Sequence, residues 1–195
     1  MQNRIIAGIV VLIVAAIFAL SVAAQSPALS GTSDLLLGIW TFSGSDVTSI
    51  TVHNPTARPR VAVAIFYGEN EDFLRCEAVW LSPHRYYEIL CPTCQNGIGA
   101  LAGKQGAVEI RSGPQGAEDP NQPGGLIGYI SIRSPNPDSP TQTHAPMFPL
   151  DPKLFNIENR SLAAVGKCVC KKFDDLRSID MSHHPLYSTF VCNIR

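Results

Sequence analysis

The chain has 195 residues, with 15 basic side chains against 16 acidic ones and a formal charge of −1. No run of Lys or Arg is longer than Lys171-Lys172, which argues against a nucleic-acid surface built on counterion release and against a polybasic membrane patch. Fifteen glycines and fifteen prolines favour short strands and turns over long helices.

Residues 1–24 read as an export signal. Arg4 supplies a short positive start, Ile5 to Leu20 is an unbroken apolar run, and Ser21-Val22-Ala23-Ala24 places small residues where a signal peptidase cuts. The same uncharged stretch would span about 30 Å as a helix, so it also fits an uncleaved membrane anchor. In either case Arg4 stays inside and the rest is exported, in the periplasm or beyond the cell. The membrane is then met only through this segment, and only where it is not cleaved. Residues 25–39 read as a linker, 40–133 as a β-sandwich core, 134–152 as a Pro-rich extended stretch and 153–195 as a C-terminal segment that completes the domain.

The strongest structural signal runs from Val47 to Cys91. Four strands are expected, Val47–His53, Arg60–Tyr67, Asp72–Leu81 and Arg85–Cys91, joined by turn-rich stretches of hairpin length. Side chains alternate faces along a strand, so each hairpin fixes which residues oppose one another. A turn centred on Pro83-His84 sets Trp80 against Tyr87, Ala78 against Ile89 and Cys76 against Cys91. A turn centred on Glu69-Asn70 sets Ile65 against Leu74 and Val63 against Cys76. A first loop of hairpin length sets Val52 against Val61 and Ile50 against Val63. All these residues fall on one apolar face, with Ser49, Thr51, Arg75, Glu77 and Glu88 on the other. Such a sheet needs a cover, because backbone ordering costs about 1–2 kcal/mol per residue. The covering strands expected are Ala107–Arg111, Leu126–Arg133 and Leu186–Ile194.

Residues 134–152 carry Pro135, Pro137, Pro140, Pro146, Pro149 and Pro152 and read as extended surface chain. At 161–176, Leu162, Val165, Val169, Phe173 and Leu176 recur at helical spacing, while Gly166 and the valines oppose a helix; the helical reading is preferred. The fold class expected is all-β: an antiparallel β-sandwich of immunoglobulin-like architecture, with an N-terminal signal or transmembrane helix and room for one short C-terminal helix.

Six cysteines, Cys76, Cys91, Cys94, Cys168, Cys170 and Cys192, in an exported chain point to structural disulfides. The hairpin register pairs Cys76 with Cys91; Cys168 and Cys170, too close in sequence to pair comfortably with each other, are expected to reach two different partners among Cys94 and Cys192. Two rivals use the same sulfurs. Cys91, Cys94, Cys168 and Cys170 would make a four-thiolate zinc site, or Cys91-Pro92-Thr93-Cys94 a thiol-exchange motif. The first needs reduced thiols in an oxidising compartment. The second lacks the helix start that lowers a thiol's pKa.

Other chemistry is sparse. His183-His184 with Asp180 reads as a solvated loop before Pro185, and His53, His84 and His144 as surface histidines. No Gly-x-Ser-x-Gly elbow occurs, and Gly97–Gly106 lacks the Lys-Ser/Thr ending of a phosphate loop. Glu69–Asp72 reads as a polar hairpin tip rather than a calcium site. Phe66, Val79 and Leu90 beside Arg75, Glu77 and Glu88 offer a mixed contact surface. The expectation is a non-catalytic, exported, disulfide-stabilised protein that binds an unidentified protein or cell-surface partner or serves as structure. No cofactor, metal or nucleic acid is expected. The alternative is a periplasmic thiol-redox or zinc protein.

Overall fold

A computed structural model describes residues 33–90, 99–114, 125–134, 141–150, 162–190 and 192. The export segment, Cys91 and Cys94 lie outside the described residues.

The chain forms two antiparallel sheets and a small helical layer. The described residues form nine strands: β1 (Leu35–Thr41), β2 (Val47–His53), β3 (Arg60–Gly68), β4 (Phe73–Leu81), β5 (Tyr86–Leu90), β6 (Gln105–Pro114), β7 (Ile127–Ser134), β8 (Thr141–Pro146) and β9 (Phe148–Leu150). Helices α1 (Leu162–Asp175) and α2 (Pro185–Phe190) follow. One sheet has the order β4-β3-β6-β1-β9 and the other β5-β2-β7-β8.

The four expected strands sit where the alternation puts them, but they do not form one meander. Only β3 and β4 make a hairpin; β2 and β5 leave for the other sheet, where they pair with each other. Asn54 is the cause. It is fully buried, and its amide nitrogen donates to the carbonyls of Arg58 (2.8 Å), Leu81 (3.2 Å) and Ser82 (3.2 Å). Its Oδ1 accepts from the Thr56 amide and hydroxyl. One side chain therefore ties together the β2–β3 and β4–β5 connections at the points where each crosses between sheets. His84, at φ 55, completes the second crossing.

The β3–β4 register is two residues away from the expected one: Ile65 opposes Cys76 and Val63 opposes Ala78. The turn reaches from Gly68 to Asp72 and puts Glu71 in the left-handed region at φ 61. Moving the turn centre by one residue slides the partners by two, so every side chain keeps its face.

Strand β3 is buried on both sides, from Val61 through Phe66. Ala62, Ala64 and Phe66 join Leu36, Trp40, Val79, Val108 and Ile110 of their own sheet and Ile50, Val52, Ile89, Leu90 and Ile130 of the other in one apolar cluster. Gly38 permits the close approach there, since a Cβ at this position would meet Ile130 Cδ1 at 2.1 Å. Val61, Val63 and Ile65 face the opposite way, with Cys76, onto Val165, Val169 and Phe173 of α1 and Leu186 of α2. The single apolar wall expected from sequence is thus divided between two clusters.

The helical spacing at 161–176 is realised in α1, whose Val165, Val169 and Phe173 are fully buried. The expected strand at Leu186–Ile194 is corrected: residues 185–190 are helical, with Pro185 at the first helical position, where its missing N–H costs nothing. Strand β1 starts at Leu35, inside the expected linker, and β8 and β9 lie in the Pro-rich stretch. Among the described residues no helix is long and apolar enough to cross a membrane.

Candidate functional site

The cysteines are the residues the sequence singles out. Cys76 on β4 is bonded to Cys168 on α1, and Cys170 is bonded to Cys192. The expected Cys76–Cys91 bridge is corrected, because the Cys76 sulfur is taken by Cys168; β5, which leads to Cys91, belongs to the other sheet. Cys168 and Cys170 do go to two different partners, but the partner of Cys168 is Cys76. Two positions apart on a helix, they point to roughly opposite sides. In this state neither offers a thiolate to zinc or to exchange. Among the described residues no three His, Cys, Asp or Glu side chains are grouped to hold a metal ion.

The histidine pair divides. His183 is exposed, whereas His184 is fully buried, which corrects the solvated-loop expectation. The Leu186 N–H donates to His184 Nδ1 (3.2 Å), so the ring proton sits on Nε2 and is donated to the Val61 carbonyl (3.2 Å). Phe173 meets the ring edge-on with centroids 5.1 Å apart. Gly113 makes room for it, because a Cβ there would lie 2.9 Å from His184 Cδ2. Burial is the main force lowering the His184 pKa to about 4, and the nearby Arg60 and Arg111 charges add to it. This is a neutral imidazole that fastens α2 to β3.

Two ion pairs are largely buried. Arg60 bonds Asp34, which also accepts from the Ser112 hydroxyl (2.7 Å). Arg111 bonds Glu109 on the same face of β6, where burial raises the Glu109 pKa against the pull of Arg111. Tyr67 lies near both; its phenol is pushed above its ordinary value by burial and by the Glu109 charge. These groups favour their neutral or paired forms and brace the sheet beside the helical layer.

The exposed chemistry lies on the other sheet. The mixed surface expected around Phe66, Val79 and Leu90 is corrected, as all three are in the inter-sheet core. The outward face of β5-β2-β7-β8 is read from its registers. Tyr86, His53 and Ile127 form one row; Glu88, Thr51, Tyr129 and Pro146 the next; Ser49, Ser131 and His144 a third. Tyr86 is 69% exposed and Tyr129 47%. His53 stacks on Tyr86 with centroids 4.3 Å apart and planes at 21°. Burial and the charge of His84 lower the His53 pKa, so the stacked ring is held toward its neutral form. Gln142 Nε2 donates to the Ser131 hydroxyl (2.9 Å). The result is a field of aromatic rings, hydroxyls and amides with little charge. The signal for it was the alternation of β2, β5 and β7 itself, legible only once their mutual pairing is known.

No known family model and no curated protein matches the chain. The fold is similar to the crystal structure of Thermotoga maritima 1070, with a TM-score of 0.45 and 12% identity over 62% of this chain and 97% of that one.

Proposed function

We propose that this protein is an exported, disulfide-stabilised, non-catalytic binding module at the cell envelope or outside the cell, and that the outward face of β5-β2-β7-β8 is its contact surface. The two sheets sharing one apolar cluster support reading the domain as a β-sandwich, loosely immunoglobulin-like. Export is supported by the leader sequence and by two disulfides, which form and persist in oxidising compartments. The observation that carries the binding reading is the pair of exposed tyrosines, Tyr86 and Tyr129, on a regular sheet face. Among the described residues the helices pack on the opposite sheet, and none packs on this one. Exposed aromatic side chains with a polar tip are the residues that contribute most at recognition surfaces.

The test is a Tyr86→Ala plus Tyr129→Ala variant, assayed for binding to isolated cell-envelope material of the producing organism. Both side chains stand outside the core, so the melting transition stays near that of the wild type. Binding falls at least about tenfold, as expected for two aromatic anchors. Unchanged binding by a folded variant refutes this surface as the site.

A further inference from the structure

Among the described residues the two sheets end in four edge strands, and three carry recognisable protection against pairing with another chain. β4 lies under α1, is bonded to it through Cys76–Cys168, and bears the Arg75–Glu77–Lys172 charge group. β9 is three residues long with Pro149 at its centre. β5 carries a bulge opposite Ile50/Thr51 and the charged Glu88. Charges, proline, bulges, short length and a covering helix are the devices by which natural sheets blunt their edges.

β8 has none of them in its interior. Its register with β7 is unbroken from Ser134–Thr141 to Tyr129–Pro146. Gln142, Thr143, His144 and Ala145 are all exposed, and none is Lys, Arg, Asp, Glu or Pro. Thr143 and Ala145 lie on the face that looks toward the other sheet, opposite Ile132 and Ile130, yet both remain exposed. The strand therefore overhangs the core with both faces exposed, and among the described residues no other strand pairs with its outer backbone edge.

We propose that β8 is a self-association edge: it pairs antiparallel with β8 of a second copy and joins the two four-stranded sheets into one of eight strands. An uncharged edge meets its own copy without repulsion, whereas a charged partner strand would gain nothing from it. Geometry then selects the register. Opposed residues in an antiparallel ladder point to the same side, so the two-fold axis passes through a residue position and not between two. Centring on His144 would set the two imidazoles against each other and draw Pro146, which has no N–H, into the ladder opposite Gln142. Centring on Thr143 pairs threonine with threonine and Gln142 with His144, and leaves Pro146 outside. Thr–Thr pairs are favourable across strands. The short contact makes the dimer weak and concentration-dependent.

Sedimentation velocity of the purified protein from about 10 µM to about 1 mM tests this, spanning the affinity range of small interfaces. The expected result is a monomer–dimer equilibrium. Thr143→Lys, which opposes two ammonium groups at the axis, weakens it by roughly tenfold, while Thr143→Val preserves it. Amide exchange supplies a second readout on the wild type: protection at Gln142–Ala145 rises with concentration. A single monomeric species throughout, or a dimer indifferent to Thr143→Lys with no added protection at β8, overturns the proposal.

Discussion

Acidification should weaken this fold through His184. The imidazole is fully buried; its Nδ1 accepts the Leu186 N–H, and its Nε2 donates to the Val61 carbonyl. A second proton has to go on Nδ1, where it would face the Leu186 N–H, donor against donor, with Arg60 and Arg111 already nearby. Burial therefore holds the folded pKa at about 4, against 6.5 for the free side chain. Between these values the unfolded chain binds a proton that the folded chain refuses, so stability is complete above about pH 6.5 and is lost as pH falls toward 4. At about 1.36 kcal/mol per pH unit, the gap amounts to about 3 kcal/mol. The assay is urea denaturation at a series of pH values on the wild type and on His184→Gln. The variant retains an N–H within reach of the Val61 carbonyl and does not titrate. The wild type should lose about 3 kcal/mol relative to the variant between neutral pH and pH 4. Glu109, whose folded pKa is raised, shifts stability the other way, toward greater stability at low pH. It is present in both proteins and cancels. Parallel pH profiles for the two proteins would refute the account.

Two further outcomes are expected. Replacing Cys76 and Cys168 by Ala opens a loop of sequence separation 92 and costs about 4–5 kcal/mol in the chain-entropy model. The same change at Cys170 and Cys192, separation 22, costs about 3 kcal/mol. Guanidinium denaturation gives the order, and mass spectrometry of a non-reduced digest should join Cys76 to Cys168. Asn54→Ala takes the side-chain donor from the Leu81 and Ser82 carbonyls, whereas the Arg58 carbonyl keeps the Thr56 hydroxyl, at a cost of about 1–3 kcal/mol for each carbonyl left buried and unpaired; thermal unfolding measures it.

The strand spans at Val47–His53, Arg60–Gly68, Phe73–Leu81 and Tyr86–Leu90 were legible because alternation is a property of each strand alone. Their partners were not, because the same alternation satisfies a hairpin and a crossing between sheets. Two features held the missing information. The continuous run Val61-Ala62-Val63-Ala64-Ile65-Phe66 is what a strand covered on both faces looks like. Asn54, which lies in the turn-rich stretch between the first two expected strands, is a buried hub whose side-chain partners lie as far away as Ser82 in the sequence. The face of Cys76 was right, since it does share a side with Val63 and Ile65. What covers that side is α1 and not a neighbouring strand, so the sulfur found Cys168. The helix at Pro185–Phe190 is short, and its aromatic and β-branched composition mimics a strand. Proline density hid β8 and β9, whose prolines stand at strand ends or on an edge. The exposed tyrosine face was distributed over three segments and became one surface only through the pairing of β5, β2 and β7.

The two sulfur links are arranged in series. Cys168 anchors α1 to β4, and Cys170, two positions on, holds Cys192 beyond α2. Everything C-terminal of α1 is thus covalently moored to the β-scaffold by way of that helix. A reductant that opens the outer link frees only the chain's last stretch, and the panel stays hung. One that opens the inner link leaves both helices tethered to each other, held over Val61, Val63 and Ile65 by oil and by one neutral imidazole.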